Sequence, residues 1–444
     1  MRILIGTVEI AGQIPILADA FRRMGHQVTT VIKERHAFFS DAHYDVDITE
    51  QALPWPDGRF GKDSPALKKV ARRNLNRAAI LARVSPLIAR HDLFVFLWAG
   101  TSLTERNREF PILKRLGKNI VSFFCGSDVR HSSGYSQLFA PLISNRSVED
   151  WHGIRDDFAT EPLARPLRDM RMAELYADLI LSVPNNSMLG VRPYQHFFVP
   201  VNLRDYQSSI PERDVPVVVH APSDKGVKGT PKIVAALEQL RSEGVPFELR
   251  LLHGVPHQRV LSELSDADIA IDQLNLPLHG MFGLEGMASG CALATCNRED
   301  YEPFPQNRPI WHIDAVNLHS GLKRLLTDKQ LRVGLAREGR KYVEQHHDHV
   351  QVARRVLDAL KAVNLQYDHY PTFFGRSYKL EQGEVVPEYL KRMTASIVQR
   401  WGLPKDVDPN EMIRRGLMSA EALTSSRPVP RWSEEPIEPT IVAV

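Results

Sequence analysis

At 444 residues, 43% hydrophobic and 25% charged, the chain is long enough for two or three domains and too evenly balanced to be disordered, collagenous or a coiled coil. Lys and Arg exceed Asp and Glu by only +3, which excludes nucleic-acid binding over the whole surface and leaves any basic patch local. Three scattered cysteines, Cys125, Cys291 and Cys296, exclude a disulfide framework, and no Cys-x-x-Cys pair offers a structural zinc site. The opening Met1-Arg-Ile-Leu-Ile-Gly6 is too short for a signal-peptide core, and the longest apolar run elsewhere, Leu93–Gly100, is too short to span a membrane. A cytoplasmic protein is expected.

In chain order, short apolar runs alternate with amphipathic segments. Strands are predicted at Ile3–Ile5, Val28–Ile32, Leu93–Trp98, Ile120–Phe124, Leu179–Val183 and Phe197–Val201. Helices are predicted between them at Ile14–Met24, Pro65–Val84, Leu103–Leu116 and Leu167–Tyr176. Near-continuous apolar strands separated by helices imply a doubly wound parallel sheet. This first Rossmann-like domain is assigned residues 1–201. The polar stretch 202–214 reads as a linker. Alternation resumes with strands at Val217–His220, Phe247–Leu252, Ile269–Asp272, Ala292–Thr295 and Ile310–His312. Their helices are Pro231–Ser242, Pro256–Leu264, Met281–Ser289, Leu318–Leu326 and Val350–Val363. A second such domain, 215–363, follows, with a cleft expected where the strand C-termini of the two domains face each other. Residues 364–424 carry two predicted helices, Pro387–Trp401 and Asn410–Leu423, expected to pack back on the first domain. Residues 425–444 read as an extended or disordered tail, with Pro428, Pro430, Pro436 and Pro439.

Within the first domain, the basic stretch Lys62–Arg90 holds eight Lys and Arg against one acid, Asp63. Ser64-Pro65 starts a helix and Pro86 stops it. Leu67, Ala71, Leu75, Ala78 and Ala82 form one face, expected to pack on the sheet. Lys69, Arg72, Arg73, Asn76 and Arg77 form the other, expected to look outward. The plainer reading is a solvated basic helix; the sharper is charge contact with an anionic membrane surface or a phosphorylated acceptor.

The segment with most chemistry is His220-Ala-Pro-Ser-Asp-Lys-Gly-Val-Lys-Gly-Thr230. A strand ends and a loop carries Ser223, Lys225 and Lys228. Gly229-Thr230-Pro231 then opens a helix, with Thr230 as N-cap. Two lysines beside a helix start suit a diphosphate; a plain turn with solvated lysines is the alternative. The next is His279-Gly-Met-Phe-Gly-Leu-Glu-Gly-Met-Ala-Ser-Gly290. Gly280 or Gly283 lets backbone approach a ligand. Glu285, in the first helical turn, can accept two hydrogen bonds from a ribose diol or simply complement the helix dipole.

These two segments together resemble the donor-binding half of GT-B glycosyltransferases. The likeness is to the large retaining group, glycosyltransferase family 4-like, related to sucrose, mannosyl- and glycogen-type transferases. Lys228-Gly-Thr230 and Glu285-Gly-Met-Ala-Ser-Gly290 match that group's motifs, and the resemblance extends over residues 1–363. It implies that Lys228 contacts the donor diphosphate, with Lys225 as a second basic ligand, and that Glu285 holds the ribose. Eight residues before Glu285, Pro277 replaces the glutamate that touches the donor sugar in that group. Asp272, Gln273 and His279 are the candidates to take over that role. In the first domain, Gly6-Thr-Val-Glu-Ile-Ala-Gly-Gln13 lacks Gly-x-Gly-x-x-Gly, so no dinucleotide fingerprint is met. The resemblance places this loop over the cleft, with Gly12 and Gln13 on the acceptor side. It likewise places Phe124-Cys-Gly-Ser-Asp-Val-Arg-His131 near the reacting sugar. Asp128 is then the candidate to position the acceptor, with Arg130 and His131 beside it; capping of a local turn is the alternative.

Three further clusters read as structural. The histidines of His346-His-Asp-His349 point to different helix faces. His253-Gly-Val-Pro-His257 is either an edge for a nucleotide base or solvated loop. Asp266-Ala-Asp268 starts a buried strand. No metal site and no cofactor are therefore expected. The expected activity is transfer of a sugar from a nucleotide diphosphate sugar, retaining and metal-independent, to a glycan, lipid-linked or small-molecule acceptor, with no nucleic-acid partner. The alternatives are a nucleotide-sugar 2-epimerase of the same fold and a non-catalytic nucleotide-sugar binder.

Overall fold

Alternate residues of the central strands enter different cores, and this is what buries both faces of each sheet. In the computed structural model Leu4, Phe94 and Phe96 lie in one apolar cluster, while Ile3, Ile5, Val95 and Leu97 lie in another. Phe94, Phe96 and Phe110 stack in series, with ring centroids 6.3 and 5.3 Å apart. Burial of each such ring contributes roughly 1.5–3 kcal/mol. The structure describes residues 1–36, 42–53, 66–98, 102–104, 107–126, 128–129, 170, 172–183, 194–210, 212–299, 305–363, 365, 368, 409–414 and 420.

The first sheet holds β1 (Arg2–Val8), β2 (Gln27–Glu34), β3 (Val46–Asp47), β4 (Leu93–Leu97), β5 (Asn119–Phe123), β6 (Leu179–Ser182) and β7 (Gln195–His196). Its order is β3-β2-β1-β4-β5-β6-β7, and every described pairing is parallel. Its helices are α1 (Gln13–Arg23), α2 (Ala66–Arg90) and α3 (Phe110–Arg115). The second sheet holds β8 (Val217–His220), β9 (Glu248–Leu251), β10 (Ile269–Ile271), β11 (Ala292–Thr295) and β12 (Trp311–His312), in the order β12-β11-β10-β8-β9, again parallel. Around it lie α4 (Lys225–Lys228), α5 (Thr230–Ser242), α6 (His257–Leu264), α7 (Met281–Ser289), α8 (Leu318–Thr327) and α9 (Lys329–His346). Then come α10 (His349–Lys361) and α11 (Pro409–Arg414). The order in which strands are added reverses between β1 and β4 in one sheet and between β8 and β10 in the other. Ligands of open α/β sheets bind at such switch points, beyond the strand C-termini.

Several expectations are corrected. The helix expected at 350–363 within the second domain is α10, and it packs on the first. Ala353, Val356 and Leu357 join Ile14, Leu17 and Phe21 in one core, and His349 Nε2 sits 2.8 Å from Asp19 on α1. Val201 bridges to Asp348 just before the crossing, so the chain returns earlier than residue 364. The strand expected at 197–201 is shifted to β7. The helix expected from Leu103 begins only at Phe110, because Asn107 adopts the left-handed region at φ 53°.

Helix α2 runs through Pro86 to Arg90 and is rotated from the expected pose. Ile80, Val84, Leu87 and Ile88 face the core, while Leu75 is 48% and Leu81 53% exposed. Large residues in its second half set the rotation; the alanines of the expected face bury too little area to compete. Arg72 and Arg77 are in consequence half-buried, and Lys68 and Arg73 stay exposed. The expected helix at 387–401 and the tail 425–444 lie outside the described residues. Among the described residues no helix is long and apolar enough to cross a membrane.

Candidate active-site cleft

The second sheet builds most of the site. β8 ends at His220, whose buried ring bonds Ile271 O at 2.7 Å and Thr230 Oγ1 at 2.9 Å. Burial pushes this imidazole down, so it stays neutral and ties the start of α5 to the sheet. Thr230 is thus the first residue of α5 and not its N-cap; Gly229 takes that place in the left-handed region, φ 75°. A Cβ on Gly229 would stand 3.0 Å from the Leu274 side chain, so only glycine fits there. The expected lysine loop is itself a helical turn, α4.

Lys228 closes α4 with its ammonium turned inward. Nζ donates to Asp272 Oδ1 at 2.5 Å and to Gln273 Oε1 at 2.9 Å. The other Asp272 oxygen, Oδ2, accepts Gly280 N at 2.5 Å, at the threshold of α7. The Asp272 side chain has no exposed surface. A Cβ on Gly280 would stand 3.0 Å from Lys228 Nζ and 3.1 Å from Asp272 Oδ2. The anion position expected for a diphosphate at the start of α7 is therefore filled by the protein's own carboxylate. Glu285, one turn into α7, is buried; its Oε1 accepts from His257 Nε2 at 2.7 Å and from Tyr206 OH at 3.4 Å.

A cavity of about 270 Å³ runs along these groups. Ser223 and Lys228 line it after β8, His253 and His257 after β9, and Met281, Phe282 and Glu285 from α7. The first sheet closes it with Ile10 and Ala11 after β1 and His36 after β2. The cavity thus lies between the ends of β1 and β2 in one sheet and those of β8 and β9 in the other.

Protein-family models and curated proteins give no match to the sequence. Solved structures do match. An alpha-glucosyltransferase in complex with UDP-glucose and DNA containing an abasic site aligns with 82% of this chain and 100% of its own, at TM-score 0.50 and 14% identity. Sucrose-phosphate synthase from Thermosynechococcus elongatus aligns with 80% of this chain and 97% of its own, at TM-score 0.52 and 15% identity. The fold is GT-B.

Within this GT-B cleft the expected residues divide. Ser223, Lys228 and Glu285 reach the cavity. Gly229, Thr230 and Gly280 shape its walls from behind. Lys225 is exposed on α4 and is not part of the cavity wall. Gly12 starts α1 at φ 76°, behind the Ala11 wall. Gln13 is buried, and its Nε2 lies 3.3 Å from Pro200 O and 3.8 Å from Met281 Sδ, bracing the first domain against α7. Arg130 lies outside the described residues, as does His131.

The two expected catalytic residues both lie outside the cavity wall. His279 does not line the cavity. Its ring packs edge-on against Tyr342 and His347, 6.2 and 5.6 Å away, and burial with the Arg308 charge pushes its imidazole down to about 3. In this setting its ring is neutral and packs among the aromatics of the crossing. Asp128 is buried and its carboxylate accepts Gly126 N at 2.7 Å and Cys125 N at 3.1 Å. These bonds hold its own loop.

The histidine cluster also resolves into packing. His346 stacks on Phe198, His347 bonds Val199 O, and His349 pairs with Asp19. Asp268 receives Arg213 and Val217 N, and Asp266 receives Arg213 and Arg250. The residues not foreseen are His36, Tyr206 and the Asp272 clamp. Each meets the site from a distant part of the chain, and no local spacing signals it.

Proposed function

We propose that the chain is a glycosyltransferase that moves a sugar from a nucleoside diphosphate sugar to an acceptor held against the first domain. One observation carries this reading. A lysine, a carboxylate one turn into a helix and an apolar pocket line a single cavity at the strand C-termini of both sheets of a GT-B fold. Glu285 would accept the ribose hydroxyls, and Ser223 with the backbone of its turn would meet the phosphates. An ammonium has three N–H donors; Asp272 and Gln273 take two of Lys228's, and the third would meet the departing diphosphate. That charge, fixed before the reaction, stabilises the leaving group where negative charge grows. Retention of configuration and independence from metal belong to this proposal, as does a glycan, lipid-linked or small-molecule acceptor. Exposed Lys68 and Arg73, with Leu75 and Leu81 beside them, would let α2 rest on an anionic membrane at the cytoplasmic face.

A second reading has its own observation. Asp272 already neutralises Lys228 and fills the start of α7, which suits a protein that binds nucleotide sugars without transfer. The test is a thermal-shift screen with UDP, GDP, ADP and their sugars, since a ligand of the native state alone raises stability by RT ln(1 + [L]/Kd). Mass spectrometry of acceptor mixtures then separates transfer from binding. No shift with any nucleotide would refute both readings.

A further inference from the structure

We infer that His257 is a positioning residue that fixes the Glu285 carboxylate for a ribose diol and adds a titrating positive charge to the nucleotide cavity. The inference rests on the nucleotide-sugar reading of the cleft and deepens it. Its basis is where the hydrogen bonds fall. An ionised carboxylate has about four lone-pair sites, two on each oxygen. His257 Nε2, at 2.7 Å, and Tyr206 OH, at 3.4 Å, both reach Oε1. Among the described residues no hydrogen bond reaches Oε2. The protein therefore saturates one oxygen and leaves two lone pairs on the other, the number that a vicinal diol requires.

The three side chains come from different elements. His257 begins α6 behind Pro256, whose ring ends the preceding turn; Glu285 belongs to α7; Tyr206 belongs to the stretch joining the domains. His257 and Glu285 both line the cavity. A glutamate side chain alone has several rotamers to lose on binding, and fixing it beforehand removes that cost from the binding step.

The charge follows from the same geometry. Among the described residues, the groups about His257 include Glu285 on α7, Asp205 and Tyr206 on the joining segment and His253 on the loop before α6. Lys228 and His36 line the same cavity. The hydrogen bond and charge of Glu285, with Asp205 behind it, raise the imidazole above its ordinary value, against a lowering by burial. Glu285 and the Tyr206 hydroxyl are themselves coupled: burial and the carboxylate charge raise the phenol, so it stays a donor. Below its pKa, His257 is a cation in a cavity meant for a nucleotide sugar with two negative phosphates. Above it, the neutral ring can still donate from Nε2 but the attraction is gone. Affinity is accordingly highest at low pH and falls as pH rises through the His257 pKa, which bound anion raises further.

The experiment is calorimetric titration of UDP-glucose, GDP-mannose and ADP-glucose from pH 5.5 to 8.5, for wild type, His257→Gln and His257→Phe. These sugars carry no phosphate that titrates in most of that range. The expected result is an affinity for wild type that falls about tenfold over the range, since one proton is linked to binding. His257→Gln, which keeps a donor and has no charge, should be flat and lie within about threefold of wild type at pH 8.5. His257→Phe should bind more weakly than His257→Gln throughout, because the carboxylate loses its brace. Wild-type binding with a His257→Gln profile of the same slope overturns the charge; His257→Phe equal to His257→Gln overturns the positioning. Failure of all three sugars to bind wild type at every pH overturns this inference together with the nucleotide-sugar reading, and so is distinguishable from failure of the inference alone.

Discussion

Two carboxylates stand at strand ends on either side of the cleft, and they do different things. Asp272 follows β10 in the second domain, and Asp128 follows β5 in the first. Both are almost fully buried, at 1% and 4% exposure, and both accept backbone N–H groups. Asp272 has partners from two other elements: Lys228 of α4 and the Gly280 amide that opens α7. The Asp128 bonds to Cys125 and Gly126 run two or three residues along its own loop. The bonds of Asp272 join distant elements; these bonds of Asp128 shape a turn. Position at a strand C-terminus, the feature the two share, does not discriminate.

Removing Asp272 should have the largest effect. Asp272→Ala leaves the Lys228 ammonium and the Gly280 amide without their acceptor. Breaking one side of a buried ion pair costs roughly 3–5 kcal/mol. The lower end is expected here, because Lys228 borders the cavity and can turn toward water. Urea unfolding monitored by circular dichroism checks this. A loss below about 1 kcal/mol, the scale of an exposed pair, would mean that the clamp is no tighter than a surface ion pair.

Lys228→Ala should come next, and on binding more than on folding. Deleting a charged hydrogen-bond donor to phosphate should weaken nucleoside diphosphates by roughly 1.5–3 kcal/mol. Inorganic pyrophosphate should lose a similar amount, as it shares the phosphates and lacks the ribose. Unchanged affinity by calorimetry would show that Asp272 holds the lysine out of reach of the ligand.

The contrast also explains what the sequence made legible. Strands of the second sheet were readable because burial on both faces leaves continuous apolar runs: Val217–His220 and Ala292–Thr295 fall where the apolar pattern places them. Lys228 and Glu285 were readable from local spacing beside a helix start. Their partners were not, because Asp272 is 44 residues from Lys228, and His257 and Tyr206 are 28 and 79 residues from Glu285. The apolar stripe of α10 announced a buried helix; nothing in Val352, Ala353, Val356 or Leu357 says which sheet it covers. The rotation of α2 was not legible because the expected face is mostly alanine, which buries far less area than Ile80 and Leu87 do.

Asp128→Ala should be milder and confined to stability. Two backbone N–H groups lose a charged acceptor, at a cost of about 1–2 kcal/mol if water does not replace it. Donor affinity should stay within about twofold of wild type, which is within about 0.5 kcal/mol. A selective rise in acceptor KM, with stability unchanged, would return Asp128 to the acceptor site and erase the contrast with Asp272.

The smallest expected effect is that of a chelator. A hard divalent cation at the diphosphate would need carboxylate oxygens on the cavity wall. The two acids nearest to it are already engaged. Asp272 holds Lys228 and Gly280, and Glu285 holds His257 and Tyr206. Drawing Asp272 to a metal would break its bonds to Lys228 and Gly280, and Glu285 offers only Oε2, the oxygen left for the ribose diol. On the proposed function Lys228 would supply a fixed positive charge where the leaving group departs. Turnover of a nucleotide sugar in excess EDTA should therefore match turnover without it, within about twofold, or about 0.4 kcal/mol. Loss of turnover on chelation, with recovery on adding Mg²⁺ or Mn²⁺, would sink this expectation. It would mean that Asp272 releases Lys228 when donor enters, so that the carboxylate that clamps the lysine in the free protein ligates metal in the complex. Repeating the assay with Asp272→Asn decides that point. Metal dependence should vanish with the carboxylate if Asp272 is the ligand, and persist if the metal is held elsewhere.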